Sequence, residues 1–286
     1  MKIGAIYPQT ELSGDPKAVD RIGRAVEMLG YDYLVMFDHV AGAVRENRNP
    51  PLWGPYSEKD PFHDPLVSFG YLAGITTRIE LVTGILVLPQ RPTVLVARQT
   101  ADIDLLSSGR LRLGVGVGWN PVEFEALGQD FRTRGQRMSE QIGFLRQLWK
   151  ESPLSFQGKF DKIDRAGINP RPGRQIPIYC GGVSDPAYRR AAALADGFIF
   201  GGPLEERVLP AWQKLQQYVV DERRLVQDFG ADYQVPDGTS VQSTLELLRR
   251  WQDAGGTHAA VRSMGHGFAT IQQHIAHFAA IRDRWT

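Results

Sequence analysis

The stretch LRLGVGVGWNP, residues 111–121, decides the fold of this chain. Its bulky residues occupy the odd positions and its small or polar residues the even ones, which is the period of two of a β-strand. The strand pattern passes directly into Asn120-Pro121, where an Asn side chain can cap a helix that begins with proline. A strand that leads into a helix in this way is one βα unit of a parallel sheet.

The same change from strand to helix recurs along the chain. Strand patterns fall at 3–7, 33–37, 79–88, 111–117, 176–180, 197–200, 232–235 and 259–262. Helical patterns fall near 16–29, 65–76, 93–107, 121–149, 186–195, 204–229, 240–253 and 268–284. Asp15-Pro16, Asp64-Pro65 and Asp185-Pro186 repeat the capping signal. Eight strands that each precede a helix predict an α/β protein with a (β/α)8 TIM barrel, and an open doubly wound sheet is the alternative.

Residues 1–286 are expected to form one barrel domain with two insertions, at about 38–64 and 151–175. Both segments are longer than ordinary connections, and long ordered loops in compact domains are usually functional. The first contains Trp53, Tyr56 and Phe62. Because disordered segments are poor in aromatic residues, we predict an ordered lid over a small-molecule substrate. The second predicts a small hairpin or an extended excursion, and both insertions are expected to determine substrate specificity.

The composition excludes several classes of function. Lys and Arg number 33 and Asp and Glu 32, for a net charge of +1, so neither nucleic acid nor an anionic membrane is expected as a partner. The apolar run at 81–88 is far shorter than the roughly 20 residues of a membrane span. The N-terminal residues form a strand pattern and not a signal peptide, which predicts a cytoplasmic protein.

Cysteine and histidine usage gives no indication of a metal. The single cysteine, Cys180, excludes an intramolecular disulfide and a cysteine-based zinc site. His274 and His277 lie three residues apart in a helical pattern, but no acidic third ligand stands at a useful spacing. We therefore expect no metal ion.

The carboxyl ends of the strands are the first place to look for a site, because ligands of TIM barrels bind there. Asp38 and His39 follow the second strand. A carboxylate beside an imidazole can polarise a carbonyl group or transfer a proton near neutral pH. The structural alternative for this pair is a hydrogen-bonded loop cap.

Glycines mark further positions in the strands. Gly114, Gly116 and Gly118 leave one face of the fourth strand bare, which predicts either a flat ligand against that face or a barrel interior filled by other strands. Gly84, inside the apolar third strand, predicts either a bulge near a ligand or a packing requirement. The alternating glycines lie within a strand and do not form the strand-to-helix turn of a dinucleotide fingerprint.

A pair of glycines, Gly181 and Gly182, ends the fifth strand just before a helix that begins with proline. Free backbone N–H groups and the positive end of the helix dipole would meet at this point. This arrangement favours a phosphate site, with a plain strand-to-helix turn as the alternative.

Together these motifs resemble the luciferase-like monooxygenase superfamily. The segment 78–125 carries the resemblance with TGIL (83–86), ARQ (97–99), LLSSGR (105–110) and GVGVGW (114–119). Asp38-His39, Arg134-Gly135, Gly181-Gly182 and the run 189–197 extend it over most of the chain. Within the superfamily, the chain looks most similar to the actinobacterial branch that uses coenzyme F420, a deazaflavin with a phosphate-linked tail.

The resemblance implies a barrel that holds a flavin-like ring across its mouth. The residues at positions that would contact the cofactor are Asp38, Gly84, Ile85, Val87, Gly116, Gly118, Trp119, Gly181, Gly182 and Val183. It also implies a cis peptide bond between Gly84 and Ile85 that supports the ring, a phosphate held at Gly181 and Gly182, and a catalytic role for His39.

The chain departs from the sugar-phosphate dehydrogenases of this family at one position. Those enzymes have a proton-donating glutamate where this chain has Trp119, so sugar-phosphate dehydrogenase activity is not expected. Glu123 lies nearby in the sequence but in the next helix, and it is not expected to replace that glutamate.

The activity implied by the resemblance is hydride transfer between coenzyme F420 and a small organic substrate, with Asp38 and His39 binding the cofactor and exchanging protons. The first alternative is a two-component monooxygenase that uses FMN and a separate reductase. A cofactor carrier without turnover and a metal-dependent hydrolase without flavin are further alternatives. The hydrolase is disfavoured because the first strand has no His-x-His pair. Members of the superfamily are often dimers, so a homodimer is expected.

Overall fold

The computed structural model describes residues 1–285 and contains a closed barrel of parallel strands surrounded by helices. The strands are β1 (Lys2–Ile6), β2 (Tyr33–Met36), β3 (Glu80–Thr83), β4 (Leu86–Val87), β5 (Leu111–Gly116), β6 (Leu154–Gln157), β7 (Lys162–Ala166), β8 (Ile178–Gly181), β9 (Gly197–Gly201), β10 (Gly230–Gln234) and β11 (His258–Val261). Around the barrel the order is β1, β2, β3, β5, β8, β9, β10 and β11, and β11 pairs with β1. The predicted (β/α)8 TIM barrel is confirmed, and the open sheet is excluded.

The third barrel strand is divided into two parts. β3 ends at Thr83, and β4 begins after the Gly84–Ile85 peptide bond, which is cis as the family resemblance implied. β3 pairs with the first half of β5 and β4 pairs with its second half. The division falls where the strand reaches the carboxyl end of the barrel, so it belongs to the end at which ligands bind.

Helices separate the barrel strands along the chain. They are α1 (Pro16–Met28), α2 (Pro65–Ile75), α3 (Thr93–Leu106), α4 (Pro121–Ala126), α5 (Arg134–Lys150), α6 (Asp185–Leu194), α7 (Leu209–Asp221), α8 (Val241–Asp253) and α9 (Ile271–Arg282). Across residues 1–285, no helix has the length and apolar character needed to cross a membrane.

Two predicted helices are wrong in extent. The pattern at 121–149 corresponds to two helices, α4 and α5, because Gly128 adopts a left-handed conformation (φ 67°) just after α4 ends. The pattern at 204–229 begins with a π-helical turn, Leu204–Val208, and its α-helix ends at Asp221. Arg223, with φ 58°, follows that end in the same left-handed region.

Three of the four predicted caps are confirmed. Asp15, Asp64 and Asn120 each accept a hydrogen bond from the N–H group two residues further along the chain. The fourth is wrong. Asp185 lies inside α6, and its carboxylate accepts hydrogen bonds from Arg189 and Tyr218 instead.

The amino-terminal half of the barrel interior is closed by a buried arginine. The Arg112 guanidinium lies between the rings of Tyr33 and Tyr179, 4.6 Å from each centroid. It donates hydrogen bonds to Asp232 (2.8 Å) and Glu80 (3.1 Å). Because a buried charge is tolerated only with such partners, this cluster fixes the side chains that fill the floor of the barrel.

The second insertion forms the predicted hairpin from β6 and β7. Phe156 stacks on Phe144 of α5, with ring centroids 4.3 Å apart. Glu140, also on α5, accepts the N–H groups of Phe160 (2.9 Å) and Asp161 (2.8 Å) at the hairpin turn. The hairpin therefore packs on the outer helical layer.

Histidines connect the loop after β11 with α9. Nδ1 of His274 lies 2.9 Å from the hydroxyl of Ser263, and the ring centroids of His266 and His277 are 4.5 Å apart. Burial, together with the neighbouring imidazoles, lowers the pKa of His274 and of His277 to about 4. Within residues 1–285, no group of His, Cys, Asp and Glu side chains has the arrangement of a metal site.

We predict that this histidine cluster makes the fold sensitive to mild acid. In the unfolded chain these histidines bind protons near pH 6.5, whereas the native state resists protonation until about pH 4. Stability is therefore complete above pH 6.5 and falls as the pH decreases toward 4. Urea unfolding at pH 7.5 and 5.0 should show a loss of about 1–2 kcal/mol per histidine.

The variant His277→Leu tests this assignment, because it removes one of the buried groups that must stay neutral. Its stability should change less between pH 7.5 and 5.0 than that of the wild type. Equal pH dependence in the two proteins would show that His277 is not a source of the effect.

Candidate active site

The carboxyl ends of β2, β5, β10 and β11, together with β4, surround a cavity of about 250 Å³, here called the mouth cavity. It is lined by Phe37, Asp38, His39, Pro55, Tyr56, Gly84, Ile85, Val87, Gly118, Trp119, Gln234 and Arg262. Most residues that the sequence indicated are therefore brought together. None of the described residues of 151–175 lines this cavity, so only the first insertion borders it, contrary to the expectation for the second.

His39 stands among aromatic rings at the mouth. Its ring centroid lies 5.0 Å from that of Tyr56, 4.9 Å from that of Phe62 and 5.5 Å from that of Trp119. Its side chain is 10% exposed. This packing fixes the plane of the imidazole and leaves it at the edge of the cavity.

Glu123, which was not predicted to belong to the site, is the hydrogen-bonding partner of His39. Nδ1 of His39 lies 3.3 Å from Glu123 Oε2. The same carboxylate accepts the amide of Gln90 (3.0 Å) and the N–H groups of Val40 (2.5 Å) and Ala41 (3.2 Å). Glu123 is fully buried, so it can remain charged only because these donors surround it.

The protonation of this pair follows from its hydrogen bonds. Burial alone would raise the pKa of Glu123, but the hydrogen bonds from His39, Gln90 and Ala41 outweigh burial, and the pKa lies below its ordinary value. An ionised carboxylate only accepts hydrogen bonds, so Nδ1 of His39 carries a proton. Nε2 is then the nitrogen available to a ligand.

One sequence signal pointed to Glu123. Asn120 caps α4, and Glu123 is the third residue of that helix, a spacing typical of a capping box. A capping box would direct the carboxylate back to the N–H of Asn120. Instead it reaches the loop after β2, and that choice depends on a contact between segments distant in sequence.

The hydrogen bonds of Asp38 differ from those expected of a group that exchanges protons with a ligand. Its Oδ2 accepts a hydrogen bond from the N–H of Val87 (2.9 Å), and its Oδ1 accepts one from the Arg91 guanidinium (2.7 Å). Burial raises the pKa of Asp38, and Arg91 opposes that shift. Both oxygens are thus engaged, which favours a structural role in which Asp38 connects the end of β2 with β4.

The bare face of β5 is filled by the protein itself. A methyl group added to Gly116 would lie 2.5 Å from Ile85 Cδ1, and one added to Gly118 would lie 2.6 Å from Val87 Cγ1. Of the two interpretations of the glycine face, filling by other strands is the one that the structure supports. After Gly118 (φ 66°) the strand period is lost, and Trp119 borders the cavity instead of facing the outer helices.

The glycine pair at the end of β8 leads into a turn with free backbone donors. Ser184 occupies the N-cap position of α6, and its side chain makes no capping hydrogen bond. Within the described chain, none of the backbone N–H groups of Gly182, Val183 and Ser184 makes a hydrogen bond. A methyl group added to Gly181 would lie 2.7 Å from Ile85 Cγ2. These free N–H groups therefore follow the point where β8 lies against the Gly84–Ile85 segment. They precede the N-terminus of α6, which is the arrangement of an anion site.

The negative charge at the start of α6 is compensated. Hydrogen bonds from Lys214, Tyr218 and Arg189 hold the pKa of Asp185 well below its usual range. The carboxylate is therefore ionised, and two cations lie directly against it. This balance reduces the repulsion that a bound phosphate would meet at the helix terminus.

The predicted lid is only partly a lid. Tyr56 and Phe62 pack against the apolar cluster inside the barrel, and the backbone at Gly54 lies directly against the Trp119 indole. Trp53, in contrast, is 83% exposed. The segment crosses the mouth with two of its three aromatic residues directed inward.

Comparison with known proteins gives consistent results. Residues 2–214 match the family described as luciferase-like monooxygenase. An uncharacterised protein of Mycobacterium tuberculosis is 30% identical over 246 residues, 84% of this chain and 83% of that relative. The monooxygenase RslO1 from Streptomyces bottropensis has a TM-score of 0.82 at 16% identity, covering 100% of this chain and 98% of its own. An F420-dependent secondary alcohol dehydrogenase, solved with an F420–acetone adduct, has a TM-score of 0.77 at 16% identity, covering 99% of both chains.

The histidine that is held against a buried carboxylate therefore lies at the mouth of a TIM barrel, the end at which barrel enzymes bind their ligands. The family match covers most of the chain and gives this enzyme its class, which is that of the oxidoreductases. The chain belongs to the luciferase-like monooxygenase family, as its motifs indicated.

We predict that Glu123 is essential for the stability of the mouth. Glu123→Ala leaves the Gln90 amide and two backbone N–H groups without an acceptor, at a cost of about 3 kcal/mol or more. Glu123→Gln retains one acceptor oxygen and should cost less. Urea unfolding at pH 7.5 measures both changes.

Glu125→Ala is the matched control, because Glu125 is exposed on the same helix and its loss should change stability by less than about 0.5 kcal/mol. If Glu123→Ala were as stable as this control, the network around the carboxylate would not support the mouth.

Proposed function

We propose that the protein transfers a hydride between coenzyme F420 and a small organic substrate held in the mouth cavity. The observation that carries this proposal is the orientation of His39. Glu123 accepts the hydrogen bond of Nδ1, so Nε2 is left to exchange a proton with a ligand. The shared fold of a dehydrogenase solved with an F420–acetone adduct supports this choice.

The residues at the mouth fit a flat ring with a phosphate-bearing tail. Ile85 and Val87 fill the barrel interior up to the mouth, so they would support the ring from below. The free N–H groups of Gly182 and Val183 would bind the phosphate. The bound cofactor supplies the hydride chemistry, and the protein contributes binding and orientation.

The remaining residues of the mouth would exclude water from the reacting groups and hold β4 in position. Tyr56, Phe62 and Trp119 surround His39 with apolar surface, which would exclude water from the reacting groups. Asp38 would keep β4 in place through Val87 and Arg91. His39 is then the residue that holds or moves a proton, and Asp38 is a positioning residue.

An FMN-dependent monooxygenase with a separate reductase is the second candidate. The similarity in fold to RslO1 favours it, and the same donors at Gly182 and Val183 would bind the FMN phosphate. The two cofactors differ in the ring, so the choice between them is made by titration. A carrier without turnover would bind a cofactor but would not need Nε2 of His39.

Three broader expectations accompany the proposal. We propose that the protein acts in the cytoplasm on a small molecule and that it forms a homodimer. The exposed apolar side chains Val67, Tyr71, Leu95 and Leu106 on α2 and α3 are consistent with a partner surface.

We predict that the purified protein binds F420 with a micromolar Kd and binds FMN at least tenfold more weakly, as measured by fluorescence titration. The proposal would be replaced by the monooxygenase alternative if FMN bound more tightly. Binding of neither cofactor would remove both candidates.

The variant Ser184→Asp tests the phosphate site within the same titration. Its carboxylate would lie beside the free N–H groups of Gly182 and Val183 and repel a phosphate there, while a negative charge at the N-terminus of α6 interacts favourably with the helix dipole. We expect at least a tenfold loss of affinity with an unchanged or higher Tm. Ser184→Ala is the control and should bind as the wild type does. Full affinity in Ser184→Asp would contradict the phosphate assignment.

A further inference from the structure

Gln234 is a buried amide in the mouth cavity that no step above uses. It is the last residue of β10, which lies three strands around the barrel from β2, the strand that carries His39 at its end. The side chain is 7% exposed and lines the cavity. No sequence pattern indicated a role for it, because a glutamine at a strand end has no motif around it.

The orientation of the Gln234 amide is fixed by its neighbour. Oε1 accepts a hydrogen bond from Arg262 Nη2 (3.1 Å), and Arg262 Nη1 in turn donates to Asp237 (2.9 Å). A guanidinium only donates, so the amide must present its oxygen to Arg262. The opposite orientation would place donors against donors. Nε2 is therefore the atom of this amide that is left for other contacts.

No hydrogen bond within residues 1–285 uses Nε2 of Gln234 as its donor, and this atom is not fully enclosed by protein, so it faces the mouth cavity. It lies above the backbone of Gly84, where an added methyl group would be 2.7 Å from it. A ligand oxygen at the mouth could accept a hydrogen bond from this N–H group directly, and the adjacent guanidinium polarises the amide so that it becomes a better donor.

We propose that Gln234 is a specificity-determining residue that donates a hydrogen bond to a planar carbonyl oxygen of the ligand. The inference rests on the proposed function, in which the mouth cavity holds a substrate beside a cofactor ring. The carbonyl oxygen belongs either to the substrate or to the edge of the ring. Because Oε1 is occupied by Arg262, the amide presents only a donor, and a ligand with an N–H group at this point is rejected.

The test compares a carbonyl compound with its carbon isostere. Acetophenone and α-methylstyrene differ only in the replacement of the carbonyl oxygen by a CH2 group. Isothermal titration of the cofactor-free protein should show at least tenfold tighter binding of acetophenone. Gln234→Leu removes the donor, and Gln234→Glu replaces it by an acceptor that can still pair with Arg262. Both variants should lose the preference and keep the Tm of the wild type within a few degrees.

A second arm titrates the same proteins with F420. If the substrate supplies the oxygen, the variants lose the acetophenone preference and bind F420 as the wild type does. If the ring supplies it, they bind F420 at least tenfold more weakly, and the wild type does not prefer acetophenone. A wild type that shows no preference, together with variants that bind F420 normally, would overturn the role of Gln234. Absence of F420 binding by the wild type would contradict the proposed function alone, because the acetophenone comparison needs no cofactor.

Discussion

The buried carboxylate of Glu123 is the constraint on which the mouth of the barrel depends. It accepts hydrogen bonds from the loop after β2, from Gln90 beyond β4 and from His39. Because so many donors surround this buried charge, its burial costs little folding free energy, whereas its removal would leave buried donors unpaired and destabilise the fold. The carboxylate therefore holds two strand ends together through α4. It also determines which nitrogen of His39 remains free, so the stability of the mouth and its chemistry have the same origin.

The interior of the barrel explains why a ligand would lie at the mouth and not deeper. Arg112 and its carboxylate and tyrosine partners fill the floor. Above them, Ile85 and Val87 occupy the space that the glycines of β5 leave. The polar groups on His39 and Gln234 that face the remaining cavity are held in place by Glu123 and Arg262. Such support from a second layer of residues is what fixes the geometry of a site.

Features that depend on local sequence were predictable. The alternation of strands and helices gave the barrel, and Asp15, Asp64 and Asn120 marked helix starts because their caps bond to residues two positions away. The cis bond at Gly84 followed from family resemblance. Contacts between distant segments were not predictable. Glu123 has a capping spacing, but its actual partners lie in other loops, and no sequence pattern shows that Ile85 fills the bare face of β5.

We propose that a deazaflavin ring lies at the mouth, between the Gly84–Ile85 segment and Nε2 of His39. A crystal structure of the protein with F420 would locate the ring. We expect the ring against Ile85, with the phosphate on the N–H groups of Gly182 and Val183 and His39 still bonded to Glu123. A ring bound elsewhere, such as in the groove of about 760 Å³ that α1 and α2 form on the outer surface, would contradict it.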